Sequence, residues 1–150
     1  MEHYIFINDS ESNSIFKDNL PFKFKVQLDF PLTFDGYWKV ALTEISIQTA
    51  SKKRNKPHED TLFIFSNICK ESIINGGKHA LLRRIEKNDN NSWKYVFSTP
   101  FYLPVNKSEI QEIDFYIKTE SGDFASFINS PVYLTLHLKR YPFYSQYESI

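Results

Sequence analysis

The chain has 150 residues, 41% apolar and 24% charged, which suits one domain with a substantial core and is too little for two. Its 18 Lys and Arg balance its 18 Asp and Glu, so the whole-chain field gives no drive toward a polyanion. The lone Cys69 excludes an internal disulfide. No stretch approaches the ~20 apolar residues of a membrane helix. Met1-Glu2-His3 lacks the basic and apolar regions of a signal peptide, so an intracellular, unsecreted product is expected. The unusual figure is the aromatic content, 17%, with 14 Phe, 9 Tyr and 2 Trp.

In chain order, Tyr4–Ile7 reads as a short strand, stopped by the polar run Asn8–Ser14. Phe22, Phe24, Val26 and Leu28 alternate with Lys23, Lys25 and Gln27, the pattern of a half-buried strand that Pro31 should end. Asp35-Gly36 turns the chain into Tyr37–Gln48, a long strand expected at the centre of a sheet and buried on much of both faces. Strict alternation puts Trp38, Val40, Leu42, Glu44 and Ser46 on one side, and Tyr37, Ala41, Ile45 and Ile47 on the other. A polar loop, Ser51–Asp60, leads to the apolar run Leu62–Phe65. Asn75-Gly76-Gly77 is a turn, and His79–Ile85 fits a strand or a short helix, of which the strand is favoured. Another turn at Asn88–Asn91 precedes a strand from Trp93 to Phe97, and Pro100 and Pro104 bracket an edge or connector. The last two strands hold Ile113 to Ile117 and Val132 to Leu138, with a turn at Glu120–Asp123 between them.

Eight such strands, without a long amphipathic helix, predict an all-β fold. The expected form is an eight-stranded antiparallel sandwich of single jelly-roll type with long polar loops, over residues 1–140, followed by an aromatic tail over 141–150.

Catalytic signals are weak. Adjacent residues on a strand point to opposite faces, so His58-Glu59-Asp60 does not converge on a metal. His137 lacks the second histidine and nearby glutamate of a jelly-roll metalloenzyme, and reads as an outward-facing or hydrogen-bonded side chain. Gly76-Gly77-Lys78-His79 falls short of a phosphate-binding loop, and neither Cys69 nor any serine has the context of a nucleophile. No enzyme activity, cofactor or metal is expected.

Two blocks carry a resemblance. They are PFKFKVQLDFPLTFDGYWKVALTEI (Pro21–Ile45) and EIDFYIKTESGDFASFINSPVYLTLHLKR (Glu112–Arg140). Phe24, Val26 and Leu28, then Asp35, Gly36, Trp38, Val40, Ala41, Leu42, Glu44 and Ile45, follow the first pattern. Ile117, Gly122, Phe127, Val132, Leu134, Leu136, His137 and Lys139 follow the second, from which Phe115 departs by replacing an isoleucine. The pair resembles the small capsid protein of Polinton (Maverick) elements and adintoviruses. The resemblance implies a single jelly-roll penton in the virion, five copies filling an icosahedral vertex among double-jelly-roll major capsid proteins.

Two surface features are then candidate contacts. Tyr141, Phe143, Tyr144 and Tyr147 put four aromatics beyond the last strand, either folded back over the sandwich or, as the resemblance implies, an arm toward a neighbouring subunit. Lys52, Lys53, Arg54 and Lys56 form the densest positive run, a weak candidate for packaged DNA and otherwise a solvated loop tip. The alternative function is a lectin-like or receptor-binding sandwich in which an exposed Trp or Tyr, Trp93 first, stacks on sugar.

Overall fold

Period-two alternation of apolar and polar side chains governs nearly every element of the computed structural model, which describes residues 1–49, 59–88 and 92–142. Eleven strands and no α-helix occur among the described residues. They are β1 (Glu2–Asn8), β2 (Lys23–Thr33), β3 (Tyr37–Thr49), β4 (Thr61–Ser66), β5 (Ser72–Ile74), β6 (Gly77–His79), β7 (Leu81–Glu86), β8 (Trp93–Val96), β9 (Leu103–Pro104), β10 (Glu109–Thr119) and β11 (Ile128–Tyr141).

One sheet has the order β1-β11-β3-β8, with β9 also pairing β3; the other has the order β2-β10-β4-β7; β5 and β6 form a separate hairpin. Every pairing is antiparallel. The first strand pairs with the last, β2 with β10, β3 with β8 and β4 with β7, so the chain is one long hairpin wound across two sheets. The sandwich expected from the sequence is therefore present.

The core lies between the sheets. Phe24 and Phe115, cross-strand partners, stack at 5.2 Å, an arrangement worth roughly 0.5–1.5 kcal/mol beyond burial. Val26, Ile113 and Ile64 from one sheet meet Val40, Leu42 and Leu136 from the other in the same buried cluster. Outside it, the Arg83 guanidinium lies 3.8 Å from the Phe97 ring centroid and 4.0 Å from that of Phe101, and donates to Thr99 O. That clamp ties β7 to the segment after β8.

The β3 strand departs from strict alternation. Trp38, Val40 and Leu42 are buried in the core, but so are Ile45 and Ile47, which alternation from Leu42 would put outside. Glu44 pairs with Thr135 and Leu42 with Leu136, leaving Thr43 as the extra residue of a β-bulge. The bulge flips the phase, so both apolar sets reach one core.

Two smaller differences concern Pro31 and the His79–Ile85 span, while the expected turns at Asn75-Gly76 and Gly36 are present. Pro31 does not end β2, because β2 is an edge strand and its missing N–H leaves no central ladder bond unmade. The span His79–Ile85 is split at Ala80 between β6 and β7. Asn75 and Gly76 have φ of 50° and 83°, the left-handed pair of a tight two-residue hairpin turn joining β5 to β6. Gly36 is required twice over: its φ is +96°, and a Cβ there would meet Arg140 Nε at 2.8 Å.

Candidate functional site

Because strands alternate, every residue that enters the core leaves its neighbours on an outer face, and the outer face of the β1-β11-β3-β8 sheet mixes exposed aromatics with the charges of Glu2, Lys39, Lys139, Glu44 and Lys94. The register sets it out in rows. Phe6 faces Thr135, Thr135 faces Glu44, and Glu44 faces Val96 across four strands. One row on, Tyr4 faces His137 and His137 faces Ala41; on the other side Asn8 faces Tyr133. Phe6 is 73% exposed, Val96 78%, Tyr4 56% and Tyr133 52%. Tyr4 and Phe6 are neighbours along β1, whereas Thr135 and Glu44 stand between Phe6 and Val96. A shallow hollow of about 300 Å³ lies between Tyr133 and Val96, floored by Thr135, whose hydroxyl donates to Glu44 Oε2 at 3.0 Å.

The rim of this face is the free edge of β1. Its sequence, EHYIFIN, carries neither Pro nor Lys, the residues that commonly keep an edge strand from pairing with another chain. At its far end Asp9, buried in spite of its charge, accepts from the Val132 N–H at 2.8 Å while the Asp9 N–H donates to Val132 O. That reciprocal pair fixes β1 against β11.

His137 organises the middle of the face. Its Nε2 lies 3.1 Å from Glu2 Oε2, its Nδ1 2.8 Å from the Tyr102 hydroxyl, and Tyr4 stacks on the ring at 4.4 Å. A carboxylate only accepts, so Nε2 is the donor to Glu2. Burial first, then nearby Tyr141, Tyr4 and Glu2, push the Tyr102 hydroxyl up from its ordinary value. The arrangement occupies both ring nitrogens and covers one ring face. Its effect is to hold Tyr4 at the surface and tie β1, β11 and the segment before β9 together. Both parts of the sequence reading of His137, outward-facing and hydrogen-bonded, apply.

Of the tail aromatics only Tyr141 falls among the described residues. It ends β11, meets Tyr37 edge-on at 6.2 Å and has Lys39 Nζ 4.7 Å from its ring centroid. Phe143, Tyr144 and Tyr147 lie outside the described residues, as do Lys52, Lys53, Arg54 and Lys56. Trp93, the residue expected to stack on sugar, is 0% exposed. It faces inward beside Phe127, with ring centroids 5.9 Å apart, because it is the cross-strand partner of the core residue Ile47. Cys69 is buried, and desolvation pushes its thiol up to about 12, which leaves it a poor nucleophile at neutral pH. The sequence reading missed Tyr4, Phe6, Tyr133 and Val96 as a set, since their proximity comes from register rather than spacing.

No protein-family model matches the chain and no curated protein matches it. Among solved structures it is similar to the Drosophila NLP core, described in a study of pentamer formation and histone binding. The identity is 12%, covering 94% of this chain and 100% of that one at a TM-score of 0.35. It is also similar to a chain of infectious bursal disease virus strain Gx, at 14% identity, 95% and 35% coverage and a TM-score of 0.28. The VP2 subviral particle of the same virus gives 10%, 93%, 33% and 0.28. The chain thus spans about a third of those two viral chains. No helix among the described residues is long and apolar enough to cross a membrane. At these identities and scores, function has to be read from the chain's own surface.

Proposed function

We propose that this chain is a structural capsid component whose work is lateral association with copies of itself, not catalysis. The observation that carries the reading is the exposed row ending in Phe6 and Val96, flanked by Tyr4 and Tyr133, beside an unguarded edge strand. Burying such groups against another chain stabilises an assembly at about 25 cal/mol per Å² of apolar area, before the cost of association. The nested pairing of first strand with last supports a jelly-roll winding. The two blocks that resemble Polinton and adintovirus small capsid proteins correspond to β2–β3 and β10–β11, neighbours within each sheet.

In its finer form the reading is a penton: a homopentamer at the vertex of an icosahedral virion, contacting a double-jelly-roll major capsid protein. A closed ring needs two different, complementary patches on each copy. Tyr4 and Phe6 on the β1 rim supply one, and Val96 with Tyr133 across the same face supplies the other. The Tyr141 end of β11 adds the start of the arm expected to reach a neighbour, and the Lys52–Lys56 run stays the candidate contact for packaged DNA.

Multi-angle light scattering over a wide concentration range, with particle imaging alone and with a double-jelly-roll partner, tests this. A single closed species, pentameric in the finer form, is the expected result. A strict monomer under all those conditions contradicts it. The lectin-like alternative has lost Trp93, which is buried, and would have to rest on exposed tyrosines such as Tyr4 and Tyr133.

A further inference from the structure

The outer face of the second sheet, β2-β10-β4-β7, is built differently, and self-association makes no use of it. Across its strands Lys23 faces Tyr116 and Tyr116 faces Phe65, while Lys118 faces Phe63 on the adjacent row. Lys23 Nζ lies 6.0 Å from the Tyr116 ring centroid and 5.6 Å from that of Phe124. Lys118 Nζ lies 5.1 Å from the Phe124 centroid and 5.9 Å from that of Phe65. The rings hold these ammonium groups by their negative faces without cancelling the charge. Lys25, on the same face, is paired with Glu112 at 3.4 Å. Among the described residues Lys23, Lys78 and Lys118 pair with no carboxylate.

Three clefts run together round these side chains. One of about 280 Å³ is lined by Lys23 and Tyr116, one of about 260 Å³ by Tyr116, Lys78 and Phe65, and one of about 300 Å³ by Phe63, Phe65 and Lys118. The first two share Tyr116; the last two share Phe65, His79 and Lys118. The β5–β6 hairpin walls one side, its His79 ring tilted on Phe65 at 5.8 Å.

We propose that this groove binds single-stranded nucleic acid, with unpaired bases stacking on Tyr116 and Phe65 and phosphates meeting Lys23, Lys78 and Lys118. Lys17, Lys23, Lys25, Lys78 and Lys118 line the clefts against Asp18, Glu71 and Glu120, an excess of cations that favours a polyanion, and a row of adjoining clefts favours a chain over a single small ion. Half-buried, sheet-mounted rings favour a ligand that brings flat rings of its own, which an acidic peptide or a sulfated glycan does not. The site is separate from the Lys52–Lys56 run and from the apolar face.

The test is fluorescence anisotropy of the full chain with a labelled oligo-dT of about twelve nucleotides, within the usual span of such sites. Three neutralised phosphates predict a log–log salt slope of about −2, a loss of roughly twentyfold in affinity between about 50 and 200 mM salt. Lys23→Glu with Lys118→Glu is expected to weaken binding at least tenfold. Tyr116→Ala is expected to weaken it about tenfold with the salt slope unchanged, since it removes stacking and no charge. The proposal is overturned by absence of binding at low salt, or by a loss on Lys52→Glu/Lys53→Glu/Arg54→Glu that the Lys23 and Lys118 changes do not produce. It is equally overturned if a polysulfated glycan binds as tightly and Tyr116→Ala has no effect. A monomer in the scattering experiment would leave each of these results readable.

Discussion

The two outer faces of the sandwich use the same residue types to opposite ends. On the β1-β11-β3-β8 sheet, Tyr4, Phe6, Tyr133 and Val96 stand exposed, with the charges of Glu2 and Glu44 held by His137 and Thr135. On the β2-β10-β4-β7 sheet, Phe63, Phe65 and Tyr116 are half-buried, and the ammonium groups of Lys23 and Lys118 lie over the Tyr116 and Phe65 rings. An aromatic at an outward strand position is thus neither a core nor an interface residue by itself. Both faces carry lysines, Lys39, Lys94 and Lys139 on the first and Lys23, Lys25 and Lys118 on the second; what differs is that the second lays ammonium groups beside the Tyr116 and Phe65 rings while Phe6 and Tyr133 on the first stand exposed.

The sharpest way to break the contrast is to charge the exposed aromatics of the first face. Tyr4→Glu with Phe6→Glu is expected to abolish association, at about 2 kcal/mol or more per contact and hence about thirtyfold or more in Kd. The unfolding free energy of the monomer should fall by no more than the roughly 0.5–1.5 kcal/mol of the lost Tyr4–His137 stack. The inner faces give the converse: Phe115→Ala, at the stacked Phe24 pair, should cost about 3–5 kcal/mol in urea unfolding, whereas Phe6→Ala should cost almost nothing.

His137→Ala should fall between these. It leaves Glu2 and Tyr102 without their partner and Tyr4 without its stack, at about 1–3 kcal/mol, and it should weaken association as well by releasing Tyr4. The smallest effect belongs to the charged face. Burial raises the Asp114 carboxyl above its ordinary 3.8, with Lys25 opposing, and its Oδ1 has no hydrogen-bond partner. The folded state therefore holds that proton more tightly than the unfolded one, so stability falls as pH rises from 3.8 through the raised value. Thermal melts across that window should show the slope flattened in Asp114→Asn.

The frame of the fold was legible in the chain because alternation reports which side of a strand meets a core. Phe24 and Val26 in β2, and Leu134 to Leu138 in β11, fall where period two puts them. What alternation cannot carry is phase across a bulge or register between strands. Thr43 shifts β3 so that Ile45 and Ile47 turn inward. Trp93, bounded by polar residues in sequence, is buried because it lies opposite Ile47. Phe6 and Val96 are 90 positions apart by number, yet lie in one row through Thr135 and Glu44. The candidate face was unreadable for that reason, and the lysine groove, which depends on three separate pairings, was hidden in the same way.

The central claim is that the apolar outer face exists to meet other copies of the chain. Light scattering of the parent beside the Tyr4→Glu/Phe6→Glu variant, at matched concentrations, addresses it most directly. A closed oligomer for the parent and a folded monomer for the variant is the predicted result. Equal masses for the two, whether both monomeric or both assembled, would contradict it.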